Sequence, residues 1–168
     1  VPFHDGFEAS ATVIDGVIYV QTHEFPNLYS DHDNLISRVF CSEDKGHSWY
    51  ETRVDNEFLG VSDGAYINLN RNFIRLSDGS IAGFVTVYRD GPGYTIRMTT
   101  KDHGRTWEQD RVLEYGVYSE NCNLAPLVES FFFRTPKSGR LLAISRVVWS
   151  RLTEQQIQQI PHAVPQGN

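Results

Sequence analysis

The chain has 168 residues, enough for one core, and its 40% hydrophobic, 21% charged and 12% aromatic content is that of an ordinary globular protein, not a disordered one. Its formal net charge of −6 argues against a nucleic-acid partner, which needs a basic surface to displace counterions. No apolar run approaches the roughly 18 residues that cross a bilayer, so no membrane span is expected, and no charged-then-apolar leader precedes Val1, so a signal peptide is absent, removed or outside this chain.

In chain order, ATVIDGVIYV at 11–20 sets two β-rich runs around Gly16, the pattern of a hairpin. ISRVFCS at 36–42 and WYETRVD at 49–55 are two further β runs, joined by the octet SEDKGHSW at 42–49. FIRLSDGSIAGFV at 73–85 repeats the hairpin around Gly79. YTIRMTT at 94–100 and WEQDRVLE at 107–114 then flank a second octet, TKDHGRTW at 100–107. FFRTPKSGRLLAI at 132–144 turns at Gly139 and runs on through RLLAISRVVW at 140–149. The closing LTEQQIQQIPHAVPQGN pairs Thr153 with Gln156 as a capping pattern ahead of Ile157 and Ile160, which predicts a short helix ended by Pro161.

The three hairpin glycines stand 63 and 60 residues apart and the two octets 58 apart. Hairpin, variable loop, β run, octet and final β run therefore recur as one unit of about sixty residues. Four short strands per unit, joined by tight turns, is what a β-propeller blade requires. The expected organisation is all-β, with blade 1 at about 8–55, blade 2 at about 66–114 and a partial blade 3 at about 120–168.

Within each octet the chemistry points to a turn. The carboxylate of Asp44 or Asp102 can accept bonds from nearby backbone N–H groups, and Gly46 or Gly104 can take the positive φ that a tight connection needs. Ser42 or Thr100 can add a hydroxyl bond across the turn, and Trp49 or Trp107 can cover the apolar gap between the strands it joins. These residues read as parts of the fold, not as catalysts. Two cysteines, Cys41 and Cys122, make neither a disulfide framework nor a zinc cluster; two buried free thiols are expected, with a single disulfide as the alternative.

The octets, with the hairpins in register, resemble the Asp box, or BNR repeat, of the sialidase-like (neuraminidase) six-bladed propellers. That resemblance implies a β-propeller of sialidase type, of which this chain is about the N-terminal half: two complete four-stranded blades plus part of a third. It implies a glycoside hydrolase with a glycan or glycoconjugate substrate, the remaining blades as partners, no cofactor, no metal, and a secreted or periplasmic setting. Asp boxes also occur in propellers that bind or scaffold without catalysis. If the first strand of each blade lines the channel, the loops opposite the octets are 23–35, 55–71, 88–93, 114–123 and the tail after 149, the places where binding residues tend to sit.

The segment LYSDHDNLISRVFCSEDKGHSW at 28–49 resembles the stretch in which a sialidase acid/base Asp precedes the first box, which assigns that role to Asp31. A carboxyl group suits it, because leaving-group departure needs a proton and water attack needs a base. The run Asp31-His32-Asp33 also reads as a polar turn or, less specifically, as metal ligands. SENCNLAP at 119–126 and SGRLLAISR at 138–146 resemble the family's Glu ahead of a first strand and its Arg seven residues past a hairpin Gly. By that resemblance Glu120 polarises a Tyr nucleophile and Arg146 joins two other Arg side chains around the substrate carboxylate. The Tyr and the rest of that triad are expected in later blades. A carboxylate makes a tyrosine a better nucleophile, and a guanidinium matches a carboxylate in bidentate geometry.

Tyr66, Arg71, Arg89 and Tyr118 fall on the same side and can bind sugar, or can equally pack and form surface ion pairs. Two departures stand out. His23, Glu24 and Phe25 occupy the place where the resemblance would put an Arg, and Glu120 lies 19 residues before Gly139, longer than the usual pattern. The leading expectation is a retaining exo-glycosidase acting on a terminal acidic sugar. The rivals are a non-catalytic Asp-box module that binds carbohydrate or directs assembly, and a hydrolase of the same fold on a neutral glycan. As an open array with free strand edges, the isolated chain is expected to be marginally stable or prone to aggregate.

Overall fold

The computed structural model describes residues 8–24, 36–61, 65–88, 94–114 and 127–147. Strands β1 (Glu8–Ile14), β2 (Val17–Glu24), β3 (Ile36–Ser42) and β4 (Tyr50–Val54) form one antiparallel sheet in sequential order. A one-turn helix α1 (Asn56–Leu59) follows. Its N-terminus is capped by the Asp55 carboxylate, which accepts from Phe58 N at 2.9 Å, and it is closed by Gly60 at φ 63°.

The second unit repeats the order with its first strand in two pieces, β5 (Tyr66–Leu69) and β6 (Ile74–Arg75). Both pair with β7 (Ile81–Tyr88), which pairs with β8 (Tyr94–Thr100), which pairs with β9 (Glu108–Glu114). The third unit contributes the hairpin β10 (Leu127–Arg134) and β11 (Leu141–Val147). The fold is all-β, a β-propeller fragment of two four-stranded antiparallel blades and the inner hairpin of another. The helix expected at 153–160 lies outside the described residues.

The core fills the space between the first two sheets. Tyr19 and Val39 from the first meet Ile67, Leu69, Phe73, Val85, Val87 and Met98 from the second, all nearly or fully buried. Tyr19 and Phe73 tilt against each other at a centroid distance of 5.4 Å, and Trp107 lies 5.9 Å beyond Phe73. The Phe73 ring can lie flat on β7 because residue 83 is Gly; a Cβ there would stand 2.6 Å from Phe73 Cε1. A smaller cluster joins the second unit to the third, with Phe84 stacked on Phe132 at 4.0 Å over Ile74 and Ala82.

The split in the first strand of the second unit has a polar cause. Asn70 Oδ1 accepts from Ser130 N at 3.0 Å, and Asn72 Oδ1 accepts from Phe132 N at 2.8 Å while its Nδ2 donates to Phe132 O at 2.6 Å. These two buried amides stand in for the ladder that β10 would otherwise make with a continuous strand. Arg71 N donates to Ser130 O at 3.1 Å, and Ser10 Oγ donates to Arg71 O at 2.5 Å. Phe73 N donates to Thr12 Oγ1 at 3.3 Å. The first strands of the three units therefore lie side by side, the arrangement that blades adopt around an axis.

Candidate functional site

The two ends of the sheets are chemically different. At one end sit the hairpin turns and both octets. Ile14 pairs with Val17 and Ile18 with Ser42, so the first octet leaves the sheet beside the β1–β2 turn. Ile81 pairs with Thr100, which repeats that relation in the second unit.

The octets adopt one geometry. Ser42 Oγ donates to Asp44 Oδ1 at 2.9 Å and accepts from Gly46 N at 2.8 Å; Thr100 Oγ1 donates to Asp102 Oδ1 at 2.8 Å and accepts from Gly104 N at 2.9 Å. Asp44 accepts from Ser48 N at 2.8 Å and Ser48 Oγ at 2.6 Å, and Asp102 from Thr106 N at 2.9 Å and Thr106 Oγ1 at 2.6 Å. Lys45 and His103 are left-handed at φ 62° and 61°, followed by Gly46 and Gly104 at 89° and 91°. Each carboxylate is consumed by its own turn. The bonds from Thr106 hold Asp102 down to about 2, and those from Ser48 hold Asp44 well below the usual carboxylate range. Neither is available as a proton donor near neutral pH.

The tryptophans differ. Trp49 Nε1 donates to Gly46 O at 3.1 Å, whereas the Trp107 indole N–H, buried beside Phe73, has no partner among the described residues. The octets also meet each other: His103 and Arg105 both pair with Glu43, and Arg105 donates to Tyr50 Oη at 2.7 Å while its guanidinium lies 4.5 Å over the Tyr50 ring. Glu43, bonded by Tyr50, His103 and Arg105, is lowered to about 2. Cys41, packed under Gly104, is a buried free thiol raised to about 12 by burial first and the nearby Asp102 and Glu43 next, so it is not a nucleophile at neutral pH. Cys122 lies outside the described residues.

At the opposite end a polar layer lies between the first two units. His23, 4% exposed at the end of β2, places Nδ1 2.9 Å from Ser37 Oγ and Nε2 3.0 Å from Leu69 O. A carbonyl only accepts, so Nε2 carries a proton. Gln21 Nε2 donates to the same carbonyl at 3.3 Å, and Asn70 Nδ2 donates to Thr86 Oγ1 at 3.3 Å. Among the described residues no cluster of His, Cys, Asp and Glu could hold a metal ion.

Of the expected site residues, Asp31, Arg89, Tyr118 and Glu120 lie outside the described residues. Tyr66 opens β5 opposite Tyr88. Arg71 stands in the interrupted inner strand, its backbone tied on both sides to neighbouring units, and not in the preceding loop. Arg146 lies on β11 opposite Val128. It is seven residues past Gly139, as His23 is past Gly16 and Thr86 past Gly79, and those two pair with Glu8 and Asn68. His23, Thr86 and Arg146 thus occupy one repeated position. The signal was present in that count of seven. The buried Asn70 and Asn72 were missed because Asn before a strand reads as a turn former, and their partners are 60 residues away.

The fold and its two unlike ends define an all-β blade protein with self-contained polar turns on one side and a polar inter-blade layer on the other. Among solved structures the chain is similar to a sialidase of Trypanosoma rangeli in complex with 2,3-difluorosialic acid, a covalent intermediate. The identity is 18% and the TM-score 0.45, over 84% of this chain and 24% of that one. The chain thus spans 24% of that structure's length. No protein-family model matches the chain, and no curated protein matches it.

Proposed function

We propose that the protein is a sialidase-like glycoside hydrolase that removes a terminal acidic sugar from a glycan with retention. Asp31 is its acid/base residue, Glu120 activates a tyrosine nucleophile and Arg146 contacts the substrate carboxylate. The observation that supports this reading is the register of β11. It sets Arg146 at the same position as His23 and Thr86, at the end of the sheets away from the octets. A guanidinium there matches a carboxylate in charge and in bidentate shape. Tyr66 and Arg71, with Arg89 and Tyr118, supply further contacts to the sugar in this reading.

A second reading is favoured by one finding. Of the three equivalent positions only Arg146 carries a guanidinium, since the first holds a His bonded to Leu69 O and the second a Thr bonded by Asn70. A neutral glycan, hydrolysed or only bound, needs fewer cations. The test is turnover of a fluorogenic sialoside against matched neutral glycosides by the full-length protein, with Asp31→Asn and Arg146→Ala beside it. Loss of sialoside turnover in both variants supports the first reading. Undiminished turnover in Asp31→Asn sinks the assignment of that residue, and retained glycan binding without any turnover selects the binding module.

A further inference from the structure

A cleft opens on the octet side, between the first and second units. Its walls include Asp15 from the β1–β2 turn, Tyr19 from β2, Arg75 from β6, and Lys101 and His103 from the second octet. Its volume of about 50 Å³ holds about four water molecules or one small polyatomic ion.

The Tyr19 hydroxyl is the unusual group. The residue is 1% exposed, its ring is clamped against Phe73, and its oxygen has no hydrogen-bond partner among the described residues. Leaving a buried hydroxyl unpaired costs roughly 1–3 kcal/mol, so native proteins rarely do so without an ion or water to complete it. Burial first, then the nearby Cys41 and Asp15, raise this phenol to about 12, so it stays protonated and is a donor at every ordinary pH. The rim carries Arg75, Lys101 and His103 against one carboxylate, Asp15. Arg75 is present in an ion pair with Asp15, His103 in one with Glu43, and Lys101 forms no ion pair among the described residues. One buried O–H donor, the Lys101 ammonium, which also acts on Asp78, and the Arg75 guanidinium suit a group that only accepts and carries negative charge.

We propose that this cleft is a binding site for a small tetrahedral oxyanion of phosphate or sulfate size, held by the Tyr19 hydroxyl from within and by Lys101 and Arg75 at the mouth. The site lies at the end of the sheets opposite the loops of the proposed glycan site, and its occupancy is independent of that function. By joining the β1–β2 turn to the second octet, a bound anion ties the first unit to the second and raises stability by mass action.

The probes are inorganic phosphate and sulfate, added to the full-length protein at constant ionic strength with chloride as the replacement salt. Thermal midpoint and isothermal titration are read for the wild type, Tyr19→Phe and Lys101→Met. Tyr19→Phe removes only an unpaired oxygen, and Lys101 is exposed, so both variants keep the fold, which near-ultraviolet circular dichroism verifies. The expected result is saturable binding to the wild type, a midpoint that rises with phosphate but not with chloride, and at least a tenfold weaker affinity in each variant. No rise over chloride in the wild type overturns the proposal, since the cleft then holds only water. Equal affinity in wild type and Tyr19→Phe overturns it as well, since binding then occurs elsewhere on the surface.

Discussion

Gly104 of the second octet lies directly on the sulfur of Cys41 in β3 of the preceding unit, so close that a Cβ at 104 would overlap it. The contact puts the turn of one unit into the flank of its neighbour and makes the glycine necessary twice, for φ 91° and for space. Gly104→Ala is expected to cost roughly 2–4 kcal/mol by combining a left-handed penalty with overpacking. Gly46→Ala, whose Cβ would meet only Trp49 at 3.4 Å, should cost less. Urea unfolding of both variants checks the order. In Cys41→Ala/Gly104→Ala the two changes should be less than additive, because the first makes room for the second.

Asn72 and Asn70 act as lateral rungs. Asn72→Ala leaves Phe132 N and O without their buried partner and is expected to lose roughly 2–4 kcal/mol. The specific signature is local. In native-state hydrogen exchange the Phe132 amide should lose protection in Asn72→Ala and the Ser130 amide in Asn70→Ala, with β3–β4 amides little changed. If both variants relaxed all three regions alike, the rungs would not be local devices.

Acid should loosen the octets. Asp102 and Glu43 are lowered to about 2 and Asp44 lies lower still, against unfolded values of about 4. A depressed folded-state pKa contributes stability that is complete above the unfolded value and vanishes as pH falls through the folded one. Thermal midpoints should therefore hold from neutrality to about pH 4 and drop between about 4 and 2. Asp102→Asn should flatten that drop while lowering the midpoint at neutral pH; an unchanged acid slope would show that the carboxylate is not the group being titrated.

The two octet tryptophans should respond differently to Phe. Trp49→Phe gives up the bond to Gly46 O, whereas Trp107→Phe removes a buried indole N–H with no partner among the described residues. Loss of ring volume beside Phe73 partly offsets the second gain. Paired unfolding curves should show Trp49→Phe losing roughly 0.5–1.5 kcal/mol for its hydrogen bond beyond the lost ring volume, whereas Trp107→Phe carries the volume cost alone.

The outward face of the third unit invites self-association. Phe131, Leu142 and Ile144 are 50%, 44% and 66% exposed, whereas Ile74, Ala82 and Phe84 in the second unit are covered by Phe132. Among the described residues β11 has no further strand beside it. Sedimentation of the 168-residue chain should show mass rising with concentration, and Ile144→Lys should shift it toward monomer. A chain that stays monomeric throughout would contradict this.

What the sequence made legible was short in range. Hairpin glycines, octets and β runs recur with a period that fixes strand order, because turn chemistry is local: the Asp44 and Asp102 bonds span only two to four residues. The blade flanks were not legible. Asn70 and Arg71 close the expected loop 55–71, and only partners 60 residues on, at Ser130 and Phe132, show that Asn70 and Asn72 interrupt an inner strand with their own side chains. Helix α1 is four residues long, too short for a periodic signal; Asp55 and Gly60 cap it and Leu59 anchors it in the core. At the candidate site, the count of seven from each hairpin Gly to His23, Thr86 and Arg146 was readable, but the bond from His23 to Leu69 O depends on how two units stack.

The hydrogen bonds named above that join one unit to the next link residues between 46 and 62 apart. Each such link closes a loop of nearly the same length, so the entropic cost of docking a unit does not grow with its place in the chain. Assembly can then advance as a zipper, each finished sheet offering its flank as the template for its successor, and the chain's search for its fold is never wider than one repeat.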